Sequence, residues 1–269
     1  MERRHLWARA MSRETFDAMA RFEGRHWWYR AKRELVAEEV GPPADASGDT
    51  VIDVGCGTGA MLGDLRRRSW LRTLGTDLSP YALALADGGD GSGGFAVARA
   101  EQLPLRAGAG AALLSLDVVE HLDDDVLAMA EYARVVGPGG TVVLTVPAYA
   151  WAWSDHDVRL GHRRRYTARS LRRAAEASGL EVERCTYFHS WLVPVALAVR
   201  KTPLRRSMRG GAQEASFVSP LVNRALLAVT RLERAVLRRV DLPFGLSILL
   251  VGRPRQLGGV GTTPPTPAS

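Results

Sequence analysis

Cysteine is scarce in this chain. The 269 residues hold only Cys56 and Cys185, too few for a disulfide scaffold. Lysine is nearly missing as well: of 36 basic residues only Lys32 and Lys201 are lysine, an arginine usage that codon bias explains as readily as any ligand. No run approaches the roughly eighteen apolar residues of a membrane-spanning helix. The longest, Trp191–Val199, contains Pro194 and ends in Arg200-Lys201. The opening MERRHLWARA lacks the apolar stretch of a secretion signal, so a cytoplasmic location is expected. Charged residues at 24% and hydrophobic residues at 46% are the balance of a packed globular chain and exclude a disordered or collagen-like one. The net charge of +7 leaves an anionic lipid surface or an acidic substrate open. Nucleic acid is not expected as a partner, because no zinc finger or RNP signature is present.

What is there divides into zones. Residues 1–48 carry a helical stretch from Glu14 to Val40, stopped by Gly41-Pro42-Pro43, and an aromatic cluster at His26-Trp27-Trp28-Tyr29. Residues 49–188 alternate short apolar runs (Thr50–Val54, Leu71–Thr76, Gly94–Ala98, Ala111–Leu116, Thr141–Val146, Glu181–Tyr187) with helical segments. That rhythm predicts βαβ units and a mainly parallel sheet, an α/β fold. Residues 189–242 break the rhythm as an Arg- and Leu-rich insertion. Residues 243–253 return to a last strand, and the Gly-, Pro- and Thr-rich 254–269 are expected to be disordered.

The sharpest motif is VIDVGCGTG, residues 51–59. An apolar strand runs into Gly55-x-Gly57-x-Gly59, where glycine lets a ligand approach the backbone and the next helix offers free N–H groups. Asp53, two residues before the first glycine, would repel a pyrophosphate but suits a ligand with an ammonium group. Asp77, some twenty residues on at a strand's carboxyl edge, is placed to accept ribose hydroxyls; its plainer role is a helix cap. An amino acid joined to a nucleoside without phosphate satisfies both carboxylates, and S-adenosyl-L-methionine is such a molecule.

These residues, with GTDLS (75–79), AEQLPL (100–105), SLDVVEHLDDD (115–125) and VGPGGTVVLTVP (136–147), resemble the class I S-adenosylmethionine-dependent methyltransferases of the bacterial type 11 group. The resemblance implies a Rossmann-like, seven-stranded, mostly parallel sheet with helices on both faces, an N-terminal helical lid and a C-terminal helical insertion. It places Gly55, Cys56, Gly57 and Gly59 at the methionine and ribose, Asp77 at the ribose hydroxyls and Leu78 at the adenine. Ala100 and Glu101 would meet the adenine edge, and Asp117 and Val118 the floor near the methyl group. Arg99 stands where many relatives carry an adenine-binding Asp, so that acceptor must come from Glu101 or the main chain. RFEGRHWWYRAKREL resembles a lid helix of this group, which makes Trp28, Tyr29 and Arg33 cofactor contacts or, equally, packing residues.

Methyl transfer is an in-line displacement that needs a nucleophile held at near-attack distance, and a base only for a hydroxyl or protonated amine. His162 and His156, in a loop after the fifth strand, are the candidate catalytic bases, with Asp155 or Asp157 to orient them. His121 is assigned to shaping the cofactor pocket. Arg163, Arg164 and Arg165 either meet an anionic substrate group or form a solvated helix approach. Asp155, His156, Asp157 and His162 lack a metal-ligand spacing, and no metal is expected. In the insertion, Val222, Leu226, Val229, Leu232, Val236 and Val240 recur at helical spacing among arginines. This helix packs on the domain, or forms a basic-rimmed wall for a small or lipid-like acceptor that touches the membrane peripherally. The cofactor site is complete without it, and oligomeric state is not legible. The expected reaction is methyl transfer to such an acceptor, at oxygen. Two rivals stay open: a nicotinamide-dependent oxidoreductase, disfavoured by Asp53, and a non-catalytic membrane-associated binding protein, disfavoured by the intact carboxylates and glycines.

Overall fold

Short apolar runs separated by helix-length segments can bury both faces of a sheet only by covering each with helices. In the computed structural model, which describes residues 11–45, 49–70, 72–87, 94–201 and 218–255, the strands are β1 (Thr50–Val54), β2 (Arg72–Asp77), β3 (Gly94–Val97), β4 (Ala112–Leu116), β5 (Thr141–Pro147), β6 (Leu180–Phe188) and β7 (Ser247–Pro254). They form one seven-stranded sheet in the order β3-β2-β1-β4-β5-β7-β6. Only β7 runs against its neighbours, pairing antiparallel with β5 and β6. Chain order reverses between β1 and β4, so a crevice opens at their carboxyl ends.

The helices are α1 (Arg13–Phe22), α2 (Trp27–Val40), α3 (Ala60–Arg66), α4 (Pro80–Asp87), α5 (Asp125–Val136), α6 (Asp155–Leu160), α7 (Ala168–Ala177), α8 (Leu192–Lys201) and α9 (Pro220–Leu237). On one face of the sheet Ile52, Leu113, Val142, Leu144 and Leu250 pack with Met129, Tyr132 and Val135 of α5 and with Leu171 and Ala175 of α7. On the other, Val51, Leu114, Val143 and Leu249 meet Leu35 and Val36 of α2, Met61 and Leu65 of α3, and Leu237 of α9. Period-two alternation thus sends successive residues of β1 to opposite cores.

Four expectations change. The helical stretch 14–40 is two helices, broken at Glu23–His26, where Gly24 offers little helix propensity and the His26 side chain caps α2 by accepting from the Trp28 N–H at 3.3 Å. The loop expected to hold His156 contains α6, a six-residue helix whose capping box joins Ser154 and Asp157; so short a helix has no periodicity to read. The α9 helix packs on the domain, one of its two readings, but through a face other than the apolar stripe: Val222, Val229, Leu232 and Val236, with Val240 just past the helix, are exposed, while Leu227, Thr230 and Leu237 are buried. Burying those two leucines is worth about 1.5–3 kcal/mol each, and the arginines expected at a membrane pair with α2, Arg231 and Arg234 with Glu34 and Arg238 with Glu38. Finally Pro254 ends β7 instead of opening the tail. The tail beyond Arg255 and the basic stretch at 202–209 lie outside the described residues.

Candidate functional site

The glycine loop joins β1 to α3 at the crevice. Gly55, Gly57 and Gly59 have φ of 72°, 52° and 80°, the left-handed region that a Cβ penalises. Two of them do different work. A Cβ on Gly55 would lie 2.4 Å from Val118 Cγ2, so this glycine lets the β4 loop close on the β1 loop. A Cβ on Gly57 would meet only Met19 Cε at 3.6 Å, facing room under the lid. Cys56 donates its N–H to the Thr76 carbonyl at 3.0 Å, but its side chain packs inward with Leu62, Leu83 and Phe95. Burial pushes that thiol far up, and only its main chain serves the loop.

Asp53 is 2% exposed. Burial, with Asp77 and Glu23 adding negative charge nearby, pushes its carboxyl up to about 8. Asp77 accepts from Gly57 N–H at 3.0 Å and Ser79 N–H at 2.8 Å, so the cap role and the loop-bracing role coexist. Burial raises its pKa against those N–H donors. Beside it, Leu78, Val97, Ala98, Arg99, Gln102, Leu103 and Pro104 line a cleft of about 370 Å³. Leu78 is 45% exposed there and Ala100 is buried, while the Glu101 carboxylate is held by Arg99 at 3.0 Å.

The N-terminal helices reach the crevice through Lys32 and Glu23, which the motifs did not flag, and through the expected Trp28, Tyr29 and Arg33. Lys32 of α2, 7% exposed, donates to Asp117 Oδ2, and Thr145 donates to Oδ1 at 3.0 Å. Burial raises the Asp117 carboxyl, but Lys32 and Thr145 outweigh it and hold it below the usual range. The near-absence of lysine elsewhere was the available signal for Lys32. Thr58 of the glycine loop donates to Glu23. Arg33 donates to Asp64 Oδ2 at 2.7 Å and to the Glu23 carbonyl at 2.9 Å, so it fastens the lid to α3. Tyr29 is largely buried near Glu23 and Asp117. Trp28 stacks on His189 with centroids 4.2 Å apart, and Trp27 meets both His189 and Trp191. Burial drives His189 down to about 3, and its Nδ1 has no hydrogen-bond partner among the described residues. Asp117, Tyr149 and His189 have φ of 55°, 60° and 58°. Each lies just past the carboxyl end of β4, β5 or β6, where strain is stored at functional sites.

The insertion is tied to the N-terminal helices and to the end of β6. Asn223 of α9 accepts from the Trp27 N–H at 2.8 Å, and Glu233 accepts from the N–H groups of His189 and Ser190 at 2.8 and 2.6 Å.

Of the two candidate bases, His162 enters the crevice and His156 stays exposed on α6. His162 Nδ1 lies 2.8 Å from Asp157 Oδ1, and Arg165 clamps the same carboxylate at 2.7 and 3.0 Å. Burial raises Asp157, but these donors leave it well below the carboxylate range. Its ring opposes Glu120, Nε2 to Oε1 at 4.0 Å, and His121, edge-on at 4.7 Å. The arginine run braces this loop. Arg163 binds the His121 carbonyl and Arg164 the carbonyls of Leu122 and Asp123, all at 2.9 Å.

Comparison with known proteins agrees with this geometry. Residues 52–144 match the family described as a methyltransferase domain. An uncharacterized methyltransferase of Mycobacterium sp. (strain JLS) is 30% identical over 115 residues, 43% of this chain and 45% of the relative. The tRNA (carboxymethyluridine(34)-5-O)-methyltransferase of Arabidopsis thaliana is 36% identical over 118 residues, 42% of this chain and 27% of the relative. The chain thus spans less than half the length of these curated relatives. Among solved structures, phosphoethanolamine N-methyltransferase 2 of Haemonchus contortus, in complex with S-adenosyl-L-methionine, aligns with a TM-score of 0.63 at 16% identity, covering 94% of this chain and 60% of that one. Residues 52–144 thus carry a methyltransferase domain, and its glycine loop with two carboxylates and the sheet order support a class I S-adenosylmethionine-dependent methyltransferase.

Proposed function

We propose that this protein transfers a methyl group from S-adenosylmethionine to a small or lipid-linked acceptor, at oxygen. The observation that carries the reading is the pairing of a buried Asp53, its carboxyl pushed up by burial, with a braced Asp77 around the open side of Gly57. That donor set fits an ammonium at one end and a ribose at the other. When bound, the cofactor supplies an electrophilic methyl on a sulfonium. Asp53 holds the ammonium, Asp77 the ribose hydroxyls, and Leu78 with the 97–104 segment walls the adenine; Asp117, fixed by Lys32 and Thr145, borders the reacting end. The acceptor enters between the lid aromatics and the Glu120–His162 wall, and His162 is the group on which its activation depends.

Asp77→Ala is expected to weaken S-adenosylhomocysteine binding by about 1.5–3 kcal/mol, the scale of charge-assisted hydrogen bonds, and to reduce discrimination against a 2′-deoxyribose analogue. Calorimetry with both ligands checks this; unchanged discrimination rejects the ribose assignment.

For the lipid-linked acceptor, the outward apolar face of α9 is the support, and no helix among the described residues is long and apolar enough to cross a membrane. Wild-type protein is expected to float with anionic vesicles at low salt, and Leu232→Asp with Val229→Asp to stay at the bottom of the gradient. Both sites are exposed, so the fold should change by no more than about 0.5 kcal/mol. Equal flotation removes the membrane from the reading and leaves a soluble acceptor.

A further inference from the structure

Glu120 is an anomaly. Its side chain is fully buried at the β4 edge of the crevice, and among the described residues neither carboxylate oxygen has a hydrogen-bond partner. A buried polar group left unpaired calls for an explanation, an ion among them. The sequence pattern offers one only after folding: His121 follows Glu120 directly, whereas His162 arrives from beyond β5, carried by the Arg163 and Arg164 clamps on the 121–123 carbonyls. The ligating atoms of Glu120, His121 and His162 all lie within 4.8 Å of one another. Bonds of about 2.0–2.2 Å to one centre would draw them in by small side-chain rotations.

His162 is oriented as a metal ligand is. Asp157 accepts from its Nδ1, which puts the proton there and the Nε2 lone pair toward Glu120. A carboxylate that fixes the tautomer from behind is the usual outer partner of a ligating histidine, and Arg165 holds that carboxylate in place. Two imidazoles and one carboxylate suit zinc, cobalt or iron better than magnesium, which prefers all-oxygen sites. The neighbouring charges, Lys32, Asp117, Asp157 and Arg165, are already paired among themselves, which leaves Glu120 as the carboxylate able to neutralise a cation.

We propose that Glu120, His121 and His162 bind a divalent transition-metal ion of the zinc and cobalt type, which holds the acceptor oxygen beside the transferring methyl group. The site rests on the methyltransferase reading for its purpose but not for its existence. Bound to the ion, an acceptor hydroxyl loses its proton to water at lower pH than it otherwise would. Its oxygen then forms the new O–C bond as the C–S bond breaks, and that electron pair stays on sulfur to give the neutral thioether. The activation assigned to His162 thus passes through the ion, with Nε2 as ligand.

The test uses the full chain, stripped with a chelator and titrated with cobalt(II). Stoichiometric binding with visible d–d absorption, displaced by zinc and not by equal magnesium, is expected. Glu120→Gln and His162→Ala should abolish the absorption while still binding S-adenosylhomocysteine, which shows that they fold. Asp157→Asn should weaken cobalt binding about 10–100-fold. If Glu120→Gln does not fold, His121→Ala carries the same expectation. No stoichiometric cobalt or zinc binding, or binding that survives these changes, overturns the proposal. Failure of the wild type to bind S-adenosylhomocysteine overturns the methyltransferase reading instead, whatever the metal result.

Discussion

Asp53→Ala should reduce S-adenosylhomocysteine affinity by roughly 3–5 kcal/mol, the cost of removing one partner from a buried ion pair, and so take binding to the edge of detection by calorimetry. A pH series gives a sharper signature. Asp53 keeps its proton in the free protein up to about 8, and the ligand's ammonium needs the ionised form. Binding below that pH therefore releases a proton, and wild-type affinity should rise toward tenfold per pH unit from about 6 to 8 and level off above, since one pKa unit is worth 1.36 kcal/mol. Titration in buffers of different ionisation enthalpy counts the proton directly. Stability runs the other way. A folded-state pKa above the unfolded value means that the unfolded chain loses the proton first, so the stability of the free protein falls as pH rises from about 4 to about 8. Asp53→Asn removes that slope. The variant should melt above wild type at pH 8 without ligand and gain nothing from ligand. Wild-type affinity flat in pH, or undiminished in Asp53→Ala, removes the ammonium from this position.

His162→Ala should lower methyl transfer by about 10²–10⁴-fold, the range for losing acceptor activation, with S-adenosylhomocysteine affinity unchanged. His156→Ala should remain near wild type, because its ring is exposed on α6 whereas His162 faces Glu120 and His121. Radiolabelled methyl incorporation into any acceptor that the wild type modifies measures both. Equal turnover in wild type and His162→Ala would leave catalysis to positioning alone, with no activating group on this wall.

Much of this was legible in the residues. Runs such as Thr50–Val54 and Ala111–Leu116 gave strands within a residue or so of β1 and β4, because a strand buried on both faces must be apolar at nearly every position. The glycine loop, Asp53 and Asp77 were readable for another reason: they lie on one βαβ unit, whose geometry is local and fixed by the tight turn after β1. The direction of the α9 stripe was left open because periodicity reports that a helix has an apolar face, not which face the domain buries. Glu34 and Glu38 of α2 settled that by capturing the arginines beside it. Only the tertiary structure brought Lys32 to Asp117, His189 under Trp28, and His162 to Glu120. Those partners are 85, 161 and 42 residues apart, from separations of 32 to 117, 28 to 189 and 120 to 162. Sequence by itself determined the resemblance to a methyltransferase domain and the glycine-loop end of the crevice, where contacts are short-range. The acceptor end was decided by packing, since it is assembled from a lid helix, two strand-end loops and an insertion whose meeting no local pattern encodes.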